Sequence, residues 1–256
     1  MSNTELTKPV VVISQPMLFP WVGMFEQIQL SNVFVHYDDV QYTRGSFFNR
    51  VQVKTLKDPF IKWMTIPVIN VNGLQSNINE MTLDVFTDWR SSHLVMLKQT
   101  YAKAPYFKDM LKIVSGVYAL PFNNLADIAI ESIESVCRYY GLDQGRTFSR
   151  SSNLNIPGKS TERVLKVVQH YQGKTYVTGH GAINYFDHEL LENNGINIEY
   201  MNYQKRPYPQ AHGPFTPYIT ILDLIANCGP AGKEMICSGA INRKVFQEQQ
   251  QLSKAG

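Results

Sequence analysis

The stretch Pro9-Val10-Val11-Val12-Ile13-Ser14-Gln15-Pro16-Met17-Leu18-Phe19-Pro20, with Trp21 to Leu30 and then Val33-Phe34-Val35-His36-Tyr37-Asp38-Asp39, decides the fold. Val10 to Ile13 is a short, continuous, β-branched run, which reads as a strand buried on both faces. A proline-bounded turn follows. Trp21 to Leu30 carries apolar residues at helical spacing with no breaker after Gly23, and Val33 to Tyr37 is a second short strand ending on two carboxylates. The unit is strand, loop, helix, strand, and a crossover of that length suits parallel pairing.

Outward from this unit, residues 40–57 are polar and aromatic with a hairpin-like course. Phe60 to Val68 reads as a strand that Pro67 ends or places at an edge. Residues 70–82 are an Asn-rich loop. Asp84 to Tyr140 is helical, broken near Pro105 and Pro121, so that 84–143 forms a helical cap or inserted subdomain. Strands are expected at Phe148–Ser152, Thr175–Thr178 and Ile196–Met201. Helices are expected at Ser160–Gln172, Asn184–Asn193, Ile219–Asn227 and Gly232–Ser238. Arg206 to Pro217 is a loop, and the tail from Gln247 (247–256) reads as frayed or disordered. The predicted class is α/β over 1–256, a mainly parallel Rossmann-like sheet with a helical subdomain.

Composition narrows the function classes. The net charge is +3, and no run of five like charges suggests a nucleic-acid arm. Val10 to Ile13 is too short for a secretory h-region, and no stretch approaches the roughly 18 apolar residues of a bilayer span. Three cysteines without metal-type spacing (Cys137, Cys228, Cys237) read as reduced thiols, giving a cytoplasmic expectation without membrane insertion. No His/Cys cluster points to a metal. The 14 Tyr and 13 Phe divide between core and ligand-facing rings.

The order Gln15-Pro16, Pro20-Trp21-x-Gly23, Asp38-Asp39-x-Gln41-Tyr42 and Phe47-x-Asn49-Arg50 resembles the N-terminal signature of the WbqC-like family. The match continues through Trp63-x-Thr65-Ile66-Pro67-Val68, Thr178-Gly179-His180-Gly181-Ala182, Tyr208-Pro209-Gln210, and Ile221-Leu222-Asp223-Leu224 with Asn227-Cys228-Gly229. Members of that family sit in O-antigen and other polysaccharide gene clusters, and for some of them a glycine-transferase role on an amino sugar is proposed. Many begin the signature with His-Gln-Pro. Here Ser14 stands in that place, which leaves Gln15 as the polar group. The opening also resembles that of nucleotidylyltransferases, whose HxGH motif would fall at Trp21-Val22-Gly23-Met24. Neither histidine is present, which argues against adenylyl transfer.

The residues point to a site in their own right. Polar groups at the C-terminal ends of parallel strands face the ligand crevice of an open α/β sheet, which places Gln15 and Asp38/Asp39 there. Adjacent carboxylates point to opposite faces while a strand continues. One of them can act as a base, or both can cap a turn or pair with Arg44 or Arg50. In Thr178-Gly179-His180-Gly181-Ala182 two glycines allow close backbone approach to a ligand, and a following helix start would favour an anion such as a sugar-nucleotide diphosphate. His180 is the best-placed general base; the plainer reading is a loop histidine that bonds the backbone. Gly158-Lys159-Ser160-Thr161 fails the P-loop pattern because Asn153 stands where glycine is needed, and it reads as an ordinary helix start. Asp223 and Asn227 share a helix face and either anchor the Tyr208 loop or touch substrate.

The expected catalytic set is His180, Asp38 and Asp39. The expected substrate-binding set is Gln15, Trp21, Gln41, Asn49, Arg50, Thr178, Gly179, Gly181 and Tyr208. The resemblance implies a transferase that attaches an aminoacyl group (glycyl among the candidates) or another acyl group to the amine of a nucleotide-linked amino sugar. No cofactor is assigned. Free amino acid with ATP, aminoacyl-tRNA, acyl-CoA and a carrier-protein thioester all stay open as donor. The alternative is a non-catalytic module that binds a nucleotide sugar or a pathway partner.

Overall fold

The computed structural model describes residues 8–70, 73 and 75–255. Residues 1–7, parts of the Asn-rich loop (71, 72 and 74) and the last residue of the tail lie outside it.

The opening unit is β1 (Val10–Ser14), α1 (Val22–Leu30) and β2 (Val33–His36). β1 and β2 run parallel, Val11 beside Val33 and Ser14 beside His36. The chain then leaves the sheet. It forms an antiparallel hairpin of β3 (Arg50–Lys54) and β4 (Ile61–Thr65), a short ladder of β5 (Val68–Ile69) with β6 (Thr82–Leu83), and the helices α2 (Trp89–Tyr101), α3 (Phe107–Ala119) and α4 (Leu125–Tyr140). It returns as β7 (Thr147–Arg150), α5 (Ser160–His170), β8 (Thr175–Thr178), α6 (His188–Asn193) and β9 (Asn197–Asn202). The last elements are α7 (Ile221–Cys228), β10 (Gly239–Asn242) and α8 (Arg243–Ala255). The sheet order is β10-β9-β8-β1-β2-β7, parallel except for β10 against β9. This is a Rossmann-like α/β sheet with helices on both faces.

The strands alternate their side chains between two cores. Val12, Phe34, Val177 and Met201 face the cluster that holds Phe25 and Ile28 of α1, Val51, Val53 and Met64 of the hairpin, and Leu97, Val114 and Ile133 of α2 to α4. Val11, Ile13, Val35, Tyr176, Ile198 and Tyr200 face the other, with Val164, Val167 and Val168 of α5 and Phe246 of α8. Each fully buried aliphatic side chain contributes about 1.5–3 kcal/mol of transfer free energy, so the helices between β2 and β7 are fixed by the same core as the sheet.

Three boundaries differ from the sequence reading. The strand expected over Phe60–Val68 is interrupted after Thr65, where Ile66 N–H donates to Asn49 O (2.7 Å) and Pro67 offers no donor. The helix expected from Asn184 divides into a 3-10 turn at His180–Asn184 and α6, because Asp187 caps α6 through Leu190 N–H (3.1 Å). Gly232–Ser238 is mostly the end of a 3-10 segment, Gly229–Met235, and β10 follows it. The tail from Gln247 continues α8, which Phe246 anchors: that ring is 3% exposed and stacks on Tyr200 at 4.5 Å.

Candidate active site

β1 is the point at which the sheet changes direction. Its crossover through α1 leads to β2 on one side, whereas β8, on its other side, is reached through α5 from the far edge. Such switch points open a crevice at the strands' C-terminal ends. A cleft of about 1120 Å³ lies there, lined from the ends of β1, β2, β8 and β9, the first turn of α1 and the start of α5.

The wall after β1 carries Gln15, Met17 and Trp21. Phe19 holds this turn at a positive φ of 37° while its N–H donates to Ser132 Oγ (2.8 Å) and its carbonyl accepts from Thr220 Oγ1 (2.7 Å). Both bonds are buried, so α4 and the residue before α7 fix the turn against its backbone strain. Gly23 follows. A Cβ there would lie 2.3 Å from Tyr203 Cε1 and 2.7 Å from Trp21 Nε1. The Trp-x-Gly pattern is thus a packing requirement that sets Trp21 and Tyr203 side by side in the cleft. Gln27 Nε2 donates to the Tyr203 hydroxyl at 3.3 Å.

The two carboxylates after β2 separate as their alternation requires. Asp39 lines the cleft. It accepts from Arg163 Nη2 and Ser151 Oγ, and Arg163 lies over the Tyr37 ring at 5.1 Å. Burial pushes the Asp39 carboxyl up, but the hydrogen bonds from Arg163 and Ser151 and the Arg163 charge outweigh it and hold the carboxyl below the ordinary range. Asp39 therefore stays ionised and is a weak base. Asp38 is 1% exposed and lies outside the cleft lining. Its oxygens accept from Ser152 N–H (3.0 Å), Ser152 Oγ (2.7 Å) and Ser151 Oγ (3.2 Å), fastening the end of β2 to the turn after β7.

The wall after β8 carries Thr178, Gly179, His180 and Gly181. His180 Nε2 lies 2.6 Å from Met201 O. A carbonyl only accepts, so Nε2 carries the proton and Nδ1 is left as the acceptor of the neutral ring. Tyr203 and Phe246 hold the imidazole at 5.3 and 4.6 Å between centroids. The Gly-His-Gly segment opens a five-residue 3-10 turn, with α6 beginning only at His188, so the extended helix start expected for a phosphate is not at this position.

Gln41 lines the cleft too, whereas Asn49, Arg50 and Tyr208 do not. Asn49 accepts from the Tyr42 hydroxyl (3.2 Å) and donates to Ile66 O (2.8 Å), joining the two strands of the hairpin. Arg50 donates to Gly45 O and lies over the Trp63 ring at 4.2 Å. Tyr208 is buried beside Asp223 in a second polar group with Tyr101 and the wholly buried Lys54, whose ammonium donates to Pro214 O. The Asp223 carboxyl is pushed up to about 6, chiefly by burial, with Tyr101, Tyr208 and Lys54 opposing the rise. Among the described residues no donor makes a properly formed hydrogen bond to either Asp223 oxygen. Asn227 Nδ2 donates instead to the Asp223 backbone carbonyl (2.8 Å). Gln210 closes the same loop by two bonds to Thr216, at 2.9 and 3.0 Å. The loop then delivers Pro217 and Tyr218 to the cleft.

Several cleft residues escaped the sequence reading. Lys159, Ser160 and Arg163 line it from the start of α5, Lys205 and Tyr203 from the segment after β9. Arg163 had a signal of its own: it shares a face of α5 with Val164 and Val167, and a charged residue on an apolar face needs a buried partner. Among the described lining residues Lys159, Arg163 and Lys205 are the Lys/Arg cations and Asp39 the one carboxylate. No three His, Cys, Asp or Glu side chains among the described residues are placed to hold a metal ion, and no helix among them is long and apolar enough to cross a membrane.

Comparison with known proteins agrees with the motif reading. The profile of the WbqC-like protein family matches residues 15–235, which include every cleft-lining residue except Ile13 and Ser14. Uncharacterized protein Rv1507c of Mycobacterium tuberculosis (strain ATCC 25618 / H37Rv) is 29% identical over 221 residues, covering 86% of this chain and 94% of that protein. No solved structure matches.

Proposed function

The chain belongs to the WbqC-like protein family, and from that premise we propose that it is a transferase of surface-polysaccharide precursor synthesis. It attaches an aminoacyl group, glycyl among the candidates, or another acyl group to the amine of a nucleotide-linked amino sugar. The observation that carries the reading is the oriented His180, with Nε2 committed to Met201 O and Nδ1 left to accept, in a net-cationic and tyrosine-rich cleft at the switch point. The amine nitrogen attacks the acyl carbonyl. The new C–N bond forms, the bond to the donor's leaving group breaks, and the amine proton passes to His180 Nδ1. Backbone N–H groups of the Gly179–Gly181 turn would receive the oxyanion. Gln15, Gln41 and Thr178 are the neutral polar groups for the sugar, and Trp21 supplies a ring face. Asp39, ionised on Arg163, orients rather than abstracts.

The test is direct. Purified protein is offered a nucleoside-diphosphate-linked amino sugar with each donor class in turn, and the sugar is weighed by mass spectrometry. A mass gain equal to the acyl group, absent with His180→Gln, is the expected result. No gain with any donor overturns the transferase reading. It would favour a non-catalytic nucleotide-sugar binder, a reading to which the pairing of the cleft carboxylate by Arg163 also lends itself.

A further inference from the structure

We propose that Lys159 and Arg163, with Lys205, form a subsite for a diphosphate, which restricts the ligand to nucleoside diphosphate-linked compounds over monophosphate-linked ones. The inference rests on the reading that the cleft holds a nucleotide-linked molecule, and adds which group the cations take. Three lining Lys/Arg cations against the one lining carboxylate leave an excess of two positive charges among these side chains. In a concave, part-desolvated site that excess calls for a ligand of two negative charges. A diphosphate diester carries two. A monophosphate diester carries one and leaves a cation unmatched.

The cations differ in freedom. Arg163 is 8% exposed and is fixed: its Nε donates to Ile156 O (3.0 Å), Nη2 to Asp39, and its guanidinium carbon lies 5.1 Å from the centroid of Tyr37. Its charge is therefore held in place at the cleft wall, where an N–H that these partners leave free can meet a phosphate oxygen. Gly158, at φ +125°, brings the backbone before α5 against this side chain: a Cβ there would sit 3.5 Å from Arg163 Cβ. Lys159 is exposed beside it. Lys205, also exposed, comes from a different element, and its ammonium lies 5.5 Å from the centroid of Tyr218. A phosphate chain held by Lys159 and Arg163 has aromatic side chains of the same cleft, Trp21, Tyr203 and Tyr218, for the ring that it carries.

The experiment is isothermal titration of the whole chain with UDP, the methyl ester of uridine 5′-monophosphate (a monophosphate diester of one charge), uridine and inorganic pyrophosphate. UDP and pyrophosphate are expected to bind, with the methyl ester weaker and uridine weaker by about a hundredfold or more. Lys159→Ala and Lys205→Ala each weaken UDP about tenfold, leave uridine unchanged and reduce the salt dependence of UDP binding. The proposal is overturned if uridine or the methyl ester binds as tightly as UDP, if neither lysine variant changes UDP affinity, or if no probe binds. The outcome is independent of the transfer reaction. Binding with this pattern but no acyl product leaves the subsite standing and removes the transferase reading, whereas an acyl product without the pattern does the reverse.

Discussion

At the scale of the residue, similar groups next to one another have different tasks. Asp38 and Asp39 are identical in chemistry, but only Asp39 faces the cleft, and Asp38 is spent on Ser151 and Ser152. Asp38→Ala should cost about 1–3 kcal/mol, since it leaves buried donors without an acceptor. Denaturant titration measures that loss, and UDP affinity of the folded protein should be unchanged; a loss of affinity without a loss of stability would return Asp38 to the binding site. His180→Gln should lower the rate of acyl transfer about 10²–10⁴-fold, the usual share of a general base, while UDP still binds. If the rate is kept, the base lies elsewhere. The pairing of Asp39 could not be read from the chain, because Arg163 is 124 residues away.

At the scale of the element, the cleft depends on how closely α1 and α8 approach the sheet. Gly23 sits in the first turn of α1 with no room for a methyl group against Tyr203 and Trp21. Gly23→Ala should cost about 1–3 kcal/mol by overpacking and displace both rings. A thermal melt and a UDP titration should both show a loss; an unchanged affinity would mean that the rings do not contact the ligand. α8 is held by Phe246, which touches both Tyr200 and His180. Phe246→Ala should cost about 3–5 kcal/mol and make the segment after Arg243 the first point of proteolytic cleavage. Cleavage elsewhere first would mean that α8 is held by other contacts. The strands and helices of the βαβ unit were legible in sequence because their periodicities are long enough to see. β10 was not: Gly239–Asn242 is too short and too polar to carry a pattern, and it pairs only because β9 offers it a free edge.

At the scale of the whole molecule, the group at Asp223 ties the hairpin, α2, α7 and the loop through Tyr208 into one core, and it should make stability depend on pH. The Asp223 carboxyl, at about 6 in the folded chain, lies above its unfolded value of about 4. The folded chain keeps a proton there that the unfolded chain has lost, so this contribution is full below about pH 4 and is lost as pH rises through about 6, by about 3 kcal/mol at most. In urea titrations from pH 4 to 7, Asp223→Asn should gain on the native protein across that window. Parallel curves would mean that Asp223 does not titrate there. By itself the sequence determined the parallel α/β unit at its start, the motifs that carry the family resemblance, and the candidacy of Gln15, Asp39 and His180. These are local or periodic features, written in consecutive residues. Only the tertiary structure decided that Asp38, Asn49, Arg50 and Tyr208 lie outside the cleft lining, and that Lys159, Arg163 and Lys205 join it. That division depends on which strand ends become neighbours. β1 lies between β2, 22 residues on, and β8, 165 residues on, and no local pattern in the chain specifies a pairing of that separation.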